Sequence, residues 1–202
     1  MDKKTKQRNI PSQTRGHVRL NNILNSAEKL FAEIGYEKVT AQRIAKDAKI
    51  SPGVLYHYFS GKHSIFASVL QRIFIRLEKE MVEIYQDLDS KDIEAILKQT
   101  FTRLLVFWRN NKNSMMLWQV LKYDPNIQDL TQTFEKSAIK RNYETIGFYF
   151  PKFPDKEKKI KALMLETVSI SLLEASLSIP KNQVRDFSDS SLKLLIHLVT
   201  KK

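Results

Sequence analysis

The chain has no cysteine among its 202 residues. That excludes disulfides and thiolate metal sites and fits a reducing compartment. Glycine is nearly as scarce, five in all beside six prolines, too few turn formers for an all-β or many-turned α/β protein. No apolar run approaches the ~20 residues that a membrane-spanning helix requires. The opening MDKKTKQRNIPSQTRG is basic without an apolar core behind it, unlike a signal peptide. A cytoplasmic protein with no membrane partner is expected. Catalytic signatures are missing as well: no glycine-rich phosphate loop, no Gly-x-Ser-x-Gly elbow, no cysteine nucleophile. His17, His57, His63 and His197 are scattered, with no pair sharing a helix face with a carboxylate, which argues against a metal centre. Neither enzyme activity nor a cofactor is expected.

Acid is the remaining deficit. The 34 Lys and Arg outnumber the 22 Asp and Glu, a formal net charge of +12. Through Lys62 the imbalance is 12 basic to 5 acidic residues, and the 140 residues beyond hold 22 to 17. Positive charge is therefore concentrated at the front, where it suits a phosphate backbone or an anionic surface. Residues 1–17 carry no apolar periodicity and read as a basic, flexible arm.

From Val18 onward the pattern is helical throughout. Leu20, Ile23, Leu24, Ala27, Leu30, Phe31 and Ile34 recur at three- and four-residue steps, and Gly35 stands where a helix should stop. Thr40 is a good N-cap, with Val39 and Ile44 at the spacing of a hydrophobic staple, and Ala41, Ile44, Ala45 and Ala48 form one buried stripe. Ser51 caps the next helix, Pro52 suits its first position, and Ile50 with Leu55 repeats the staple. Residues 40–59 are thus two short helices joined by Lys49 to Ser51, a helix-turn-helix.

At ~100° per residue, Phe59 and Tyr58 turn inward with Leu55, whereas Gly53 and His57 point outward between Val54 and Tyr56. In the preceding helix Gln42 and Lys46 point out and Arg43 lies to one side. A bare glycine flanked by hydroxyl, imidazole, amide and cationic groups suits a DNA groove, with phosphates meeting the helix start, Tyr56, His57 and Lys62.

Residues from about Leu20 to Leu70 resemble the DNA-binding region of the TetR (tetracycline-repressor-like) family of bacterial regulators. The matching pieces are ILNSAEKLFAEIGYEKVT, QRIAKDAKIS and GVLYHYFSGKHSIFASVL, in that order. The resemblance implies an Ω-shaped homodimer on a palindromic operator in double-stranded DNA. It implies phosphate contacts at Thr40, Tyr56, His57 and Lys62, and Gln42, Arg43, Gly53 and Val54 near base edges; Ser51 completes the DNA-binding set. Two positions depart from the family pattern. Lys49 stands where a glycine is common in the turn, although a non-glycine residue resists positive φ. Gly61 and His63 replace a polar and acidic start of the fourth helix.

Beyond Lys62 the apolar spacing predicts long helices, including Ser114–Tyr123, Ile127–Phe148, Lys156–Ile179 and Phe187–Thr200. The expected architecture is all-α, about nine helices: the arm at 1–17, a helix-turn-helix domain at 18–62, and a ligand-binding and dimerisation bundle at 63–202. The last two helices carry apolar residues on more than one face, which suggests the homodimer interface. Aromatic and methionine residues crowd the middle of the bundle, where the family resemblance implies a cavity. Phe101, Leu105, Trp108 and Tyr123 are its candidate lining, suited to a small apolar or aromatic effector. Glu166 and Glu174, eight apart in the run LMLETVSISLLEASL, are expected to face solvent or the subunit interface. The function expected is a ligand-responsive repressor. A basic architectural DNA-binding protein is the alternative, and 140 residues of separate apolar bundle weigh against it.

Overall fold

The computed structural model describes residues 12–86, 92–112, 114–115, 118 and 128–201, excluding the side chains of 12–15, 85, 86 and 130. The described residues are all-α and fall into two compact units, 1–69 and 70–202. Their boundary lies between Val69 and Leu70, inside a helix rather than ahead of it.

The first unit starts with α1, Ser12–Ile34. It begins well before its apolar stripe, so residues 12–17 of the expected arm are helical, and residues 1–11 lie outside the described residues. A Cβ placed on Gly16 would stand 3.7 Å from the Tyr58 hydroxyl, so this early turn is held beside a later helix. Gly35 ends α1 at φ +80°, a conformation that a side chain would strain, with its N–H on Phe31 O at 3.1 Å. Then come α2, Ala41–Asp47, α3, Pro52–Tyr58, and α4, Lys62–Gln86. Ile23, Ala27, Phe31, Ile44, Leu55 and Phe66 close the core. Phe31 meets the Phe66 ring edge-on at 5.1 Å. Leu55 is fully buried, so its truncation to alanine costs about 2–5 kcal/mol. Tyr58, expected inside, is only half-buried, because it sits at the rim of this small core.

The second unit continues α4 from Leu70 and adds α5, Ile93–Asn110, α6, Gln128–Tyr149, α7, Asp155–Ser176, and α8, Val184–Thr200, which a 3-10 turn at Lys181–Gln183 precedes. The expected helix Ser114–Tyr123 lies largely outside the described residues. Two basic side chains stop helices here. Arg109 donates to the carbonyls of Ser176 and Ile179 at the end of α7. The buried Lys161 donates to Leu198 O at 2.9 Å and Lys201 O at 2.6 Å at the end of α8. Both place positive charge where the helix leaves its carbonyls unpaired. No helix among the described residues is long and apolar enough to cross a membrane.

Candidate nucleic-acid interface and ligand cavity

The two short helices are fixed at their starts by side-chain caps. Thr40 Oγ1 accepts from Arg43 N at 3.2 Å and Ser51 Oγ from Val54 N at 3.3 Å. Both hydroxyls are therefore already engaged in shaping the helices. The turn between them follows the Schellman pattern: Ile50 N donates to Ala45 O at 3.0 Å and Lys49 N to Lys46 O at 3.2 Å. Lys49 fills the left-handed position at φ 57°. Where a glycine would rest without strain, this chain forces a lysine.

The face that results is exposed. Gln42, Arg43 and Lys46 leave α2 toward solvent, and Gly53, Tyr56 and His57 leave α3, with Val54 half-buried. Nothing lies within 4 Å of a Cβ built on Gly53, so the protein leaves open space there. Gln42 Nε2 donates to the Tyr56 hydroxyl at 3.5 Å, linking the two helices across the face. His57 meets the Tyr58 ring edge-on at 5.5 Å.

Lys62 has work inside the protein. Its Nζ donates to Tyr36 O at 3.1 Å and Glu37 O at 3.4 Å, and lies 4.3 Å above the Tyr36 ring. Tyr36 in turn shares a 2.5 Å hydrogen bond with His63 Nδ1. The start of α4 is thereby tied to the loop after α1. Nothing in the local pattern announces this, because the partners are 25 or more residues away in the chain.

A second candidate site lies within the second unit. A partly open cavity of about 80 Å³ has walls that include Phe101, Trp108 and Phe134, with Thr100, Asn142 and Glu166 as polar members. Beside it is an open cleft of about 480 Å³, bordered by Val82, Glu144 and Phe148. Met81, Ile96, Arg141 and Thr145 line both spaces. Of the expected ligand residues, Phe101 and Trp108 line the cavity. Leu105 is buried in the core, and its neighbour Leu104 takes the wall position. Tyr123 lies outside the described residues.

Glu166 corrects its expectation. It does not face solvent: it lines the cavity and accepts from Asn142 Nδ2 at 3.2 Å. Part of its surface stays open to the cavity while dense protein surrounds the rest. Burial pushes its carboxyl up to about 7, and Glu135 adds slightly, against the opposing pull of Arg141 and the Asn142 hydrogen bond. Arg141 is itself held by Glu78, at 2.8 and 3.0 Å to the two carboxylate oxygens. For the polar part of this site the sequence signal was a charged residue inside an apolar run, and Arg141 and Asn142 gave none.

Exposed apolar residues also stand on the last two helices of this unit. Ile160, Leu163 and Met164 share one face of α7, and Leu194 stands on α8. Ile160, Met164 and Leu194 border one open groove of about 670 Å³.

Residues 23–69 match the model of the family described as bacterial regulatory proteins, tetR family. The chain is 27% identical over 117 residues to the uncharacterised HTH-type transcriptional regulator YerO of Bacillus subtilis, a match covering 58% of this chain and 40% of YerO. The first curated relatives are each matched over less than two thirds of their own length. Among solved structures, the fatty acid degradation regulator FadR of Bacillus halodurans superposes with a TM-score of 0.71 at 17% identity, covering 96% of this chain and 98% of that one. The SmeT–triclosan complex superposes at 0.68 and 18%, covering 89% and 90%. At such identities the two structures share a fold with this chain.

Proposed function

This chain belongs, through residues 23–69, to the tetR family of bacterial regulatory proteins, and on that premise we propose that it is a transcriptional repressor released from DNA by a small effector. The observation that carries the proposal is the exposed face of α2 and α3. It offers Gln42, Arg43, Tyr56 and His57 around the open space at Gly53, on a unit rich in positive charge. Such a surface lets α3 approach a major groove, with side chains at base edges and cations on phosphates.

The operator is read as a palindrome by a homodimer formed through α7 and α8. The exposed apolar stripe of Ile160, Leu163, Met164 and Leu194 supports a second copy of the chain as its cover. The effector is small and mainly apolar and enters the cavity walled by Phe101 and Trp108. SmeT, which shares the fold, was solved with triclosan, and that supports a small-molecule effector for this chain. Helix α4 carries Lys62 at its start and the cavity residue Met81 further on. An effector that binds one arrangement of α4 better than another shifts the population toward it, by no more than its differential affinity.

A footprint of the purified protein on DNA flanking its own gene tests this reading. One protected palindrome, lost when effector is added, is the expected result. Diffuse protection that no compound relieves would replace it with an architectural role.

A further inference from the structure

The cavity of the second unit has an unusual chemistry for a simple apolar pocket. Among the described residues, the cavity and its adjoining cleft bring together Glu78, Glu144 and Glu166 against Arg141 alone. That cation is engaged, since both oxygens of Glu78 hold its guanidinium and Ser137 Oγ lies 3.3 Å away. Glu166 accepts from a neutral amide of Asn142, and the rings of Phe101, Trp108 and Phe134 line the same cavity. In the same walls, the buried Thr100 Oγ1 has no hydrogen-bond partner among the described residues. Ionised, the Glu166 carboxyl only accepts, and the Thr100 hydroxyl can accept as well as donate, so a ligand rich in donors finds two acceptors in these walls. Outside, the cleft exposes Val82 and Phe148, the latter at 77% although its ring meets Tyr149 edge-on at 5.0 Å.

We propose that Glu166 is the recognition group for the protonated amine of a lipophilic effector, whose apolar body extends from the cavity into the cleft against Val82 and Phe148. This rests on the proposed effector-controlled function and names the effector's chemical class. An ammonium group brings N–H donors and no acceptor, the complement of an ionised carboxylate. It gains the carboxylate's charge and the negative faces of the surrounding rings, both of which count for more away from water. The volumes agree, because about 80 Å³ suits a head group with its first methylenes while the open cleft of about 480 Å³ takes the rest. A carboxylate ligand fits poorly. It would have to draw Arg141 away from Glu78 and then lie in the same cavity as Glu166.

Charge linkage makes the pairing measurable. The groups that act on Glu166 are Arg141 and Glu135 of α6, with Asn142 as its hydrogen-bond donor, and Glu78 of α4 bound to Arg141. Burial leaves Glu166 half-ionised at about pH 7. An amine that prefers the ionised form therefore binds more tightly as pH rises through that value, by about tenfold between roughly pH 6 and pH 8.

The test uses octylamine, octanol and octanoate, which share one apolar body, with the full-length wild type and Glu166→Gln. Binding is followed by calorimetry and by tryptophan fluorescence at both pH values. The expected result is octylamine binding about tenfold more tightly than octanol near pH 8, with the gain lost near pH 6. Glu166→Gln should abolish both differences, and a wild-type far-ultraviolet circular dichroism spectrum with unchanged binding to DNA shows that the variant is folded. Should the variant fail to fold, the wild-type pH profile decides alone. Equal binding of octylamine and octanol, preference for octanoate, or an amine preference that survives in the variant overturns the assignment of Glu166. In those three cases an apolar effector in the cavity still stands. Failure of all three compounds to bind overturns that reading together with this one.

Discussion

Replacing Lys49 with glycine should stabilise the DNA-binding unit, although it removes no clash and adds no contact. Lys49 sits at the left-handed position of the Schellman turn, φ 57°, with the flanking hydrogen bonds from Lys49 N and Ile50 N already made. An L-residue held there costs about 1–2 kcal/mol. Glycine removes that strain but loses about 0.5–1 kcal/mol to its freer unfolded chain. The net gain is about 0.5–1 kcal/mol. If both units melt together, that corresponds to a midpoint rise of about 1–4 °C for a chain of this size. Lys49 is exposed, so Lys49→Ala is the control: it removes the same ammonium but keeps the strained backbone, and should leave stability close to wild type. The two tryptophans, Trp108 and Trp118, both belong to the second unit and report poorly on this change. Urea unfolding followed by far-ultraviolet circular dichroism, with amide exchange at Leu55 and Phe59, reads the first unit. If Lys49→Gly is no more stable than Lys49→Ala, the left-handed backbone at this turn carries no strain and the reasoning fails.

Four further outcomes are expected. Lys62→Ala removes donors to Tyr36 O and Glu37 O, so it should cost about 1–2 kcal/mol of stability and weaken binding to every DNA sequence, with the salt slope falling by about one. Gln42→Ala should instead re-rank operators at an unchanged slope, and a swap of these two signatures in salt-titrated binding would reverse the assigned roles. Glu166 has its folded-state pKa raised from 4.5 to about 7, so its contribution to stability is fully present below the ordinary value and is lost as pH rises through about 7. Glu166→Gln escapes that loss and should be more stable than wild type by up to about 3 kcal/mol near pH 8 and by nothing near pH 4.5; a difference in thermal midpoint that ignores pH would contradict the burial of this carboxyl. Leu194→Glu puts a charge on the exposed apolar stripe of α7 and α8, and sedimentation should then find monomers that no longer protect an operator.

The helical class, the helix-turn-helix and its outward residues were legible in the sequence because they are local. Capping by Thr40 and Ser51, the staples, and the stripe of Ala41, Ile44 and Ala45 all depend on spacings of three to five residues, which the chain carries in plain order. The face holding Gln42, Gly53, Tyr56 and His57 comes from the same helical period. Even the conflict at Lys49 could be stated in advance, since the family resemblance sets a glycine there, and the structure holds Lys49 at positive φ.

Other features required the chain to come together. Periodicity marks where an apolar stripe begins but not where a helix does, so α1 reaches back to Ser12 and sets Gly16 beside Tyr58. The ties from Lys62 and His63 to the loop around Tyr36 join residues remote in sequence. The cavity shows the limit most clearly. Thr100, Arg141, Asn142 and Glu166 come from three helices, and no spacing relates them. In the sequence, Glu166 is one acid in an apolar helix, equally able to face water or protein. Tertiary packing set it beside Asn142 and the aromatic walls. Its charge now depends on how much water the fold leaves around it, which is a property of the packed helices and not of any one of them.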